Sequence, residues 1–214
     1  MGNIRKGIQR KREIIETAFN LFVQNGYERT SVQQIIDTLG ISKGTFYHHF
    51  KSKDDLLDAV ISDILEDVAS EINRIANSDK DAVTKLIEIY GVFRGKEDAL
   101  KLILAELYRD TNLKMRQKFL DQMLKITSPP LNKVLEQGKA EGAFDIVEVE
   151  GIARLLIVMD MAVGEAFFGL MKERDTKGIK SMLDAYAFAI KRILGTDADI
   201  KFTDVDVLKL IENI

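Results

Sequence analysis

Between Ser42 and Lys53 the chain gathers three ammonium groups, three hydroxyls, a phenol and two imidazoles, with no carboxylate among them. Groups of these types donate hydrogen bonds to anionic oxygens and to the edges of nucleic-acid bases. Thr45 carries a methyl and a hydroxyl, suited to a thymine methyl or a base edge, and Lys43 can reach a guanine edge or a phosphate. Gly44 has no Cβ, so a backbone could approach closely there; its other reading is a plain first-turn residue. Thr30, Ser31 and Ser42 have two roles open to them, helix cap and phosphate donor. His48 and His49 are the only histidines. As metal ligands they are badly placed, because neighbours on a helix point about 100° apart.

The rest of the chain offers little reactive chemistry. It has no cysteine, which excludes disulfides, thiolate metal sites and cysteine nucleophiles. Outside His48-His49 no acid/base set or nucleophile stands at recognisable spacing, so we expect no enzyme, no metal and no cofactor. One carboxylate is out of place. Asp160 falls in the apolar run Leu155–Val163, about 120° from the polar stripe of Glu150, Arg154 and Glu165 and among Ala153, Leu156, Ile157 and Phe167. A buried carboxylate is costly unless paired. Two readings stay open: pairing with an Arg or a hydroxyl in the core or at a dimer interface, or a counter-ion for a cationic ligand.

The elements that must position these groups read as helices throughout. Proline occurs only as Pro129-Pro130, and Leu, Ile, Ala, Glu, Lys and Asp dominate, which favours an all-α fold. Residues 1–9 lack apolar periodicity and read as frayed. Ile14, Ile15, Ala18, Phe19, Leu21 and Phe22 predict a first helix from Arg10 to a stop at Gly26. Thr30 or Ser31 can cap a second helix carrying Val32, Ile35, Ile36 and Leu39, with Gln33 or Gln34 completing a capping box. Gly40-Ile41-Ser42 then reads as a tight turn, with Ser42 capping a third helix to about Phe50. Phe46 and Phe50, four apart, should face inward. Two short helices across a three-residue turn make a helix-turn-helix, whose second helix protrudes far enough to enter a major groove.

Ser52 should cap a long fourth helix to about Asn77, roughly 37 Å at 1.5 Å per residue. Further helices are predicted over Lys80–Phe93, Glu97–Arg109, Leu113–Thr127, Leu131–Gly138, Glu148–Arg174 and Lys177–Leu194, with a break at Pro129-Pro130. A short tail helix follows Thr203, with Val207, Leu208 and Ile211 on one side.

Charge is unevenly shared. The net charge is −3, but residues 1–55 carry nine Lys/Arg against six Asp/Glu. A basic head on an acidic body suits a polyanion partner for the head alone. Arg5, Lys6, Arg10, Lys11 and Arg12 read either as an arm on phosphate or minor groove, or as solvated surface. No secretory leader is expected. No apolar run approaches the ~18 residues of a membrane span, so the expected location is the cytoplasm.

The stretch Ser42-Lys43-Gly44-Thr45-Phe46-Tyr47-His48-His49-Phe50-Lys51-Ser52-Lys53-Asp54-Asp55-Leu56, with Ala18-Phe19-Asn20-Leu21-Phe22 and Gly26-Tyr27-Glu28-Arg29-Thr30-Ser31-Val32 before it, resembles the head of the TetR family of bacterial transcriptional regulators. The likeness covers about residues 10 to 60. It implies a three-helix helix-turn-helix DNA-binding domain, here residues 1–51, and a helical effector-binding and dimerisation domain, residues 52–214. By resemblance Tyr47, His49 and Lys53 are phosphate contacts. His48 joins the exposed DNA-facing set with Thr30, Ser31, Ser42, Lys43, Gly44 and Thr45. The last two long helices would form a homodimer, with Ala162, Gly164 and Ala166 allowing close approach. A small-molecule effector would enter among the body helices, where Phe93, Tyr108, Phe119, Met123, Met159, Asp160 and Phe167 are the candidate lining. The implied function is a repressor that releases a pseudo-palindromic operator in double-stranded DNA when that effector binds. Two rivals remain: a DNA-binding protein whose body binds another protein, and a helical enzyme.

Overall fold

The computed structural model describes residues 2–92, 107 and 113–200; for residues 2–4 only the backbone is described. Among these the chain is all-helical: α1 Gly2–Asn25, α2 Val32–Leu39, α3 Lys43–His49, α4 Lys53–Ala76, α5 Ala82–Gly91, α6 Leu113–Ala140, α7 Val149–Lys172 and α8 Thr176–Leu194. Phe93, Tyr108, nearly all of the helix expected over Glu97–Arg109, and the tail helix after Thr203 lie outside the described residues. No helix among those described is long and apolar enough to cross a membrane.

Two expectations need correction. The first helix does not wait for Arg10 but begins at Gly2. Arg, Lys and Gln are good helix formers, and the segment is tied forward by a Gln9–Glu13 hydrogen bond of 3.3 Å and an Arg10–Glu13 ion pair of 2.6 Å. The second correction is at Pro129-Pro130, where a break was expected and α6 runs straight through. Each proline removes one intrahelical hydrogen bond, at a cost of roughly 3 kcal/mol. Burial outweighs it: Met123 and Thr127 before the pair and Leu131, Val134 and Leu135 after it are all buried, and each large apolar side chain so covered contributes about 1.5–3 kcal/mol. Only an unbroken helix keeps both runs on one face.

The chain divides into two compact units, residues 1–67 with 98–122 and residues 68–97 with 123–214. Both α4 and α6 supply residues to each. The first unit is built on Ile14, Ala18 and Phe22 of α1, Ile35 and Ile36 of α2, Phe46 of α3, and Leu56, Leu57 and Ile61 of α4, all buried. Phe22 and Tyr27 meet edge to face at 5.2 Å, an arrangement in which ring edge meets ring face favourably.

The second unit buries a charge. Lys85 is 3% exposed. Its ammonium donates to the Ala76 carbonyl at 3.2 Å and to Gln137 Oε1 at 2.7 Å. Ala76 ends α4, where the helix dipole is negative, so a cation is favoured there. Gln137 in turn donates to Glu141 at 2.6 Å, and Glu141 accepts from the Ala82 amide at 2.9 Å. The network binds the end of α4, the start of α5 and the end of α6 together.

Candidate nucleic-acid interface

The turn that sets α3 across α2 is fixed by local chemistry. Ser31 caps α2: its hydroxyl accepts from the Gln34 amide at 3.1 Å, and the Gln34 side chain accepts from the Ser31 amide at 2.7 Å, a complete capping box. At the other end Gly40 has φ +62°, a left-handed conformation that costs other residues about 1–2 kcal/mol. The Gly40 and Ile41 amides close on the Asp37 and Ile36 carbonyls, each at 3.2 Å, which satisfies carbonyls that α2 leaves open. Ser42 starts α3 at once: its hydroxyl accepts from the Thr45 amide at 3.0 Å and lies 2.9 Å from the Thr45 hydroxyl.

Inside α3, Phe46 is 0% and Phe50 2% exposed, as their spacing predicts. At 100° per residue, Gly44 and His48 fall on the opposite side of the rod, with Lys43 and Tyr47 along one edge and Thr45 and His49 along the other. Ser42, Lys43, Gly44, Tyr47 and His48 are exposed; Thr45 and His49 are half-buried. Tyr47, 54% exposed, is one of the few large apolar rings left open. The one face thus carries an ammonium, hydroxyls, a phenol and two imidazoles around a residue with no side chain. The His48 and His49 rings meet edge to face at 5.1 Å.

Further cations stand beside this face. Lys11 of α1 lies 5.7 Å from the Phe50 ring. Burial holds the His49 imidazole below its ordinary range, and the charges of His48, Lys11 and Arg10 push it the same way. Arg10 and Lys11 are therefore close enough to extend the positive surface from α3 onto α1. Lys51 is exposed as well. The sequence marked the basic cluster of α1 but not that its register would bring these two charges to α3.

Two residues expected on this surface are spent elsewhere. Thr30 is fully buried, its hydroxyl donating to the Gly26 carbonyl at 2.9 Å and the Leu21 carbonyl at 3.2 Å. It ties the end of α1 to the following loop and does not reach the DNA-facing set. Lys53 sends its ammonium inward to the carbonyls of Tyr27 at 2.9 Å, Thr30 at 3.0 Å and Glu28 at 3.4 Å, and stands 4.2 Å from the Tyr27 ring. All three of its donors are occupied, so it staples the α1–α2 loop to the start of α4. Beside it the Tyr27 hydroxyl donates to Asp54, which also accepts from Lys114 of α6 at 2.6 Å. The Lys114 ammonium and then the Tyr27 hydroxyl hold the Asp54 carboxyl below its usual range. One turn on, Lys118 pairs with Asp58 at 2.6 Å.

The residues expected to line an effector site are divided. Phe119 is buried in the first unit; Met123, Met159, Asp160 and Phe167 belong to the second. Tyr90, absent from the expected set, stands within electrostatic reach of Asp160. Seventy residues separate the two, and no sequence pattern pairs them.

An all-helical chain with a protruding, capped, cationic second helix across a glycine turn is a DNA-binding helix-turn-helix protein, and comparison with known proteins agrees. Residues 14–60 match the family model described as bacterial regulatory proteins, tetR family. The HTH-type transcriptional repressor KstR2 of Mycolicibacterium smegmatis is 27% identical over 141 residues, 63% of this chain and 67% of that protein. The uncharacterised HTH-type regulator YerO of Bacillus subtilis is 33% identical over 120 residues, 52% of this chain, and the chain spans only 40% of its length. The solved structure of the fatty acid degradation regulator FadR from Bacillus halodurans shares the fold, with a TM-score of 0.62 at 21% identity over 87% of this chain and 95% of that one. Residues 14–60 thus form the DNA-binding head of the bacterial regulatory proteins of the tetR family.

Proposed function

We propose that this chain is a homodimeric repressor that grips a pseudo-palindromic operator through α3 and lets go when a small molecule occupies its C-terminal part. The observation that carries the reading is the outward face of α3: Gly44 and His48 at its crest, Lys43, Thr45, Tyr47 and His49 at its edges, held out by the buried Phe46 and Phe50. Residues 1–51 serve as the DNA-binding domain and 52–214 as the effector and dimerisation domain. Thr45 reads base edges, while Lys43, Tyr47, His48, His49, Ser42 and the exposed cations Lys11 and Lys51 meet phosphate. Ser31 and Lys53 support that face from behind.

The dimer forms through α7 and α8. Leu155, Val158 and Phe188 are large, apolar and exposed at 60%, 45% and 60%, which is surface a partner would cover. A two-fold axis then places two recognition helices about 34 Å apart, one turn of duplex, or a multiple of that. Because α4 supplies residues to both units, an effector that prefers a second position of α4 spoils this spacing. A coupling of about 1–3 kcal/mol lowers operator affinity roughly 5- to 150-fold. The protein works in the cytoplasm without catalysis.

Selection from a random duplex pool, followed by a salt titration, tests the reading. An inverted repeat should emerge, with log K falling against log salt at about −0.9 per phosphate neutralised. Failure to retain any duplex at low ionic strength would end it.

A further inference from the structure

Helix α7 has two faces. At 100° per residue, Leu155, Val158, Ala162 and Ala166 share one stripe, and all four are exposed. Val149, Ala153, Leu156, Ile157 and Met171 form the opposite stripe, and all five are buried. Asp160 falls about 10° from the centre of the buried stripe and about 155° from the centre of the exposed one. It therefore faces the interior of its own unit and not the surface on which a second copy would sit, so a partner's arginine is not its counter-ion.

Asp160 is half-buried, and one oxygen of its carboxyl has no answer. Its Oδ1 is shut off from solvent and has no hydrogen-bond partner. Burial alone pushes the carboxyl far above the usual carboxylate range; no Lys, Arg or His among the described residues lowers it. Tyr90 of α5 stands within electrostatic reach, its buried hydroxyl pushed up first by burial and then by Asp160. The Tyr90 ring meets the Tyr186 ring of α8 edge to face at 6.2 Å. Tyr90 thus links the two other helices, within reach of the Asp160 carboxyl on α7 and against the Tyr186 ring on α8. An unpaired buried carboxyl is a standing cost to the fold, and proteins keep such costs where function needs them. An organic ammonium would answer both features, drawing the Asp160 carboxyl back to its ionised form as a counter-charge and giving the ring faces a cation. An anionic ligand would supply no such counter-charge and would leave the carboxyl in its neutral form.

We propose that the second unit binds an organic cation, a ligand pairing an apolar body with an ammonium nitrogen, whose nitrogen docks on Asp160 beside Tyr90 and Tyr186. This assignment rests on the reading of the chain as an effector-controlled regulator and names the chemical class of the effector.

The test uses the full-length protein and three probes of one chain length: octylammonium, octanol and octanoate. Calorimetric titration of wild type should rank octylammonium tightest. Asp160→Asn should weaken octylammonium by about 30-fold or more, the loss expected when one member of a buried charge pair is removed, and leave octanol unchanged. Asp160→Leu, which removes the uncompensated carboxyl along with its docking role, should unfold at a higher temperature than wild type in the absence of ligand. Equal octylammonium affinity in wild type and Asp160→Asn, tightest binding of octanoate, absence of octylammonium binding, or a lower unfolding temperature for Asp160→Leu would each overturn the assignment. Anisotropy of the selected duplex separates the two readings. Octylammonium bound at Asp160 without DNA release leaves the site standing and sinks effector control. Release driven by octanol or octanoate, indifferent to Asp160→Asn, keeps effector control and sinks the cation.

Discussion

Lys43 and Lys53 carry the same charge ten residues apart and put it to different use. Lys43 is exposed on the face of α3, while Lys53 has three carbonyls around its ammonium. A phosphate contact contributes one released counterion, and its removal reduces the salt slope. Lys43→Ala should accordingly flatten the slope of log K against log salt by about 0.9 per contact. Lys53→Ala should lower affinity and the melting temperature of the head while leaving the slope as in wild type; a flattened slope would return Lys53 to the phosphate contacts. His49 makes a second prediction. Its imidazole is held below its ordinary range by burial and by His48, Lys11 and Arg10. A base with a lowered folded value contributes stability above its unfolded value, near 6.5, and loses it as pH falls through that range. Phosphate favours the protonated form, so DNA binding takes up a proton. From pH 8 to 6 operator affinity should rise while the melting temperature falls, and His49→Gln should weaken both trends. Affinity that is flat with pH in wild type would remove His49 from the interface.

At the scale of elements, the protrusion of α3 depends on how its neighbours end. The reciprocal cap of Ser31 and Gln34 and the left-handed Gly40 set where α2 begins and stops. Ser31→Ala should cost about 1 kcal/mol of unfolding free energy, and Gly40→Ala about 1–2 kcal/mol, read from denaturant midpoints at constant slope. Gly40→Ala should also weaken operator binding, because the turn it strains aims α3. If Gly40→Ala binds and unfolds like wild type, the turn is not what orients the reading helix. The long α6 teaches a different lesson. Its two prolines argue for a break and its buried apolar face argues for continuity, and the face prevails because burying several large side chains outweighs two missing hydrogen bonds.

For the whole molecule, the exposed apolar stripe of α7 with Phe188 of α8 should be the surface that pairs two chains. Leu155→Glu with Phe188→Glu places like charges at the two-fold axis, where each meets its own copy. Sedimentation should then show monomer, and operator affinity should collapse towards that of one half-site. A double variant that remains dimeric would move the interface elsewhere.

Most of the head was legible from residue types alone. Cap, glycine turn and the Phe46–Phe50 pair are local signals within a dozen residues, and local hydrogen bonding and helical period read them directly. The periodicity also predicted nearly all of the helices among the described residues, and their order. What it could not weigh was competition between distant forces, which is why α6 was expected to break and α1 to start late. Nor could spacing tell that Thr30 is sealed, that Lys53 turns inward, or that Tyr90 comes within electrostatic reach of Asp160. Those facts depend on which helix faces meet, and packing between residues far apart in the chain decides them. The sequence alone placed Asp160 among apolar neighbours; only the tertiary arrangement showed that one of its oxygens is sealed without a hydrogen-bond partner, because a helix face acquires its meaning from what is packed against it.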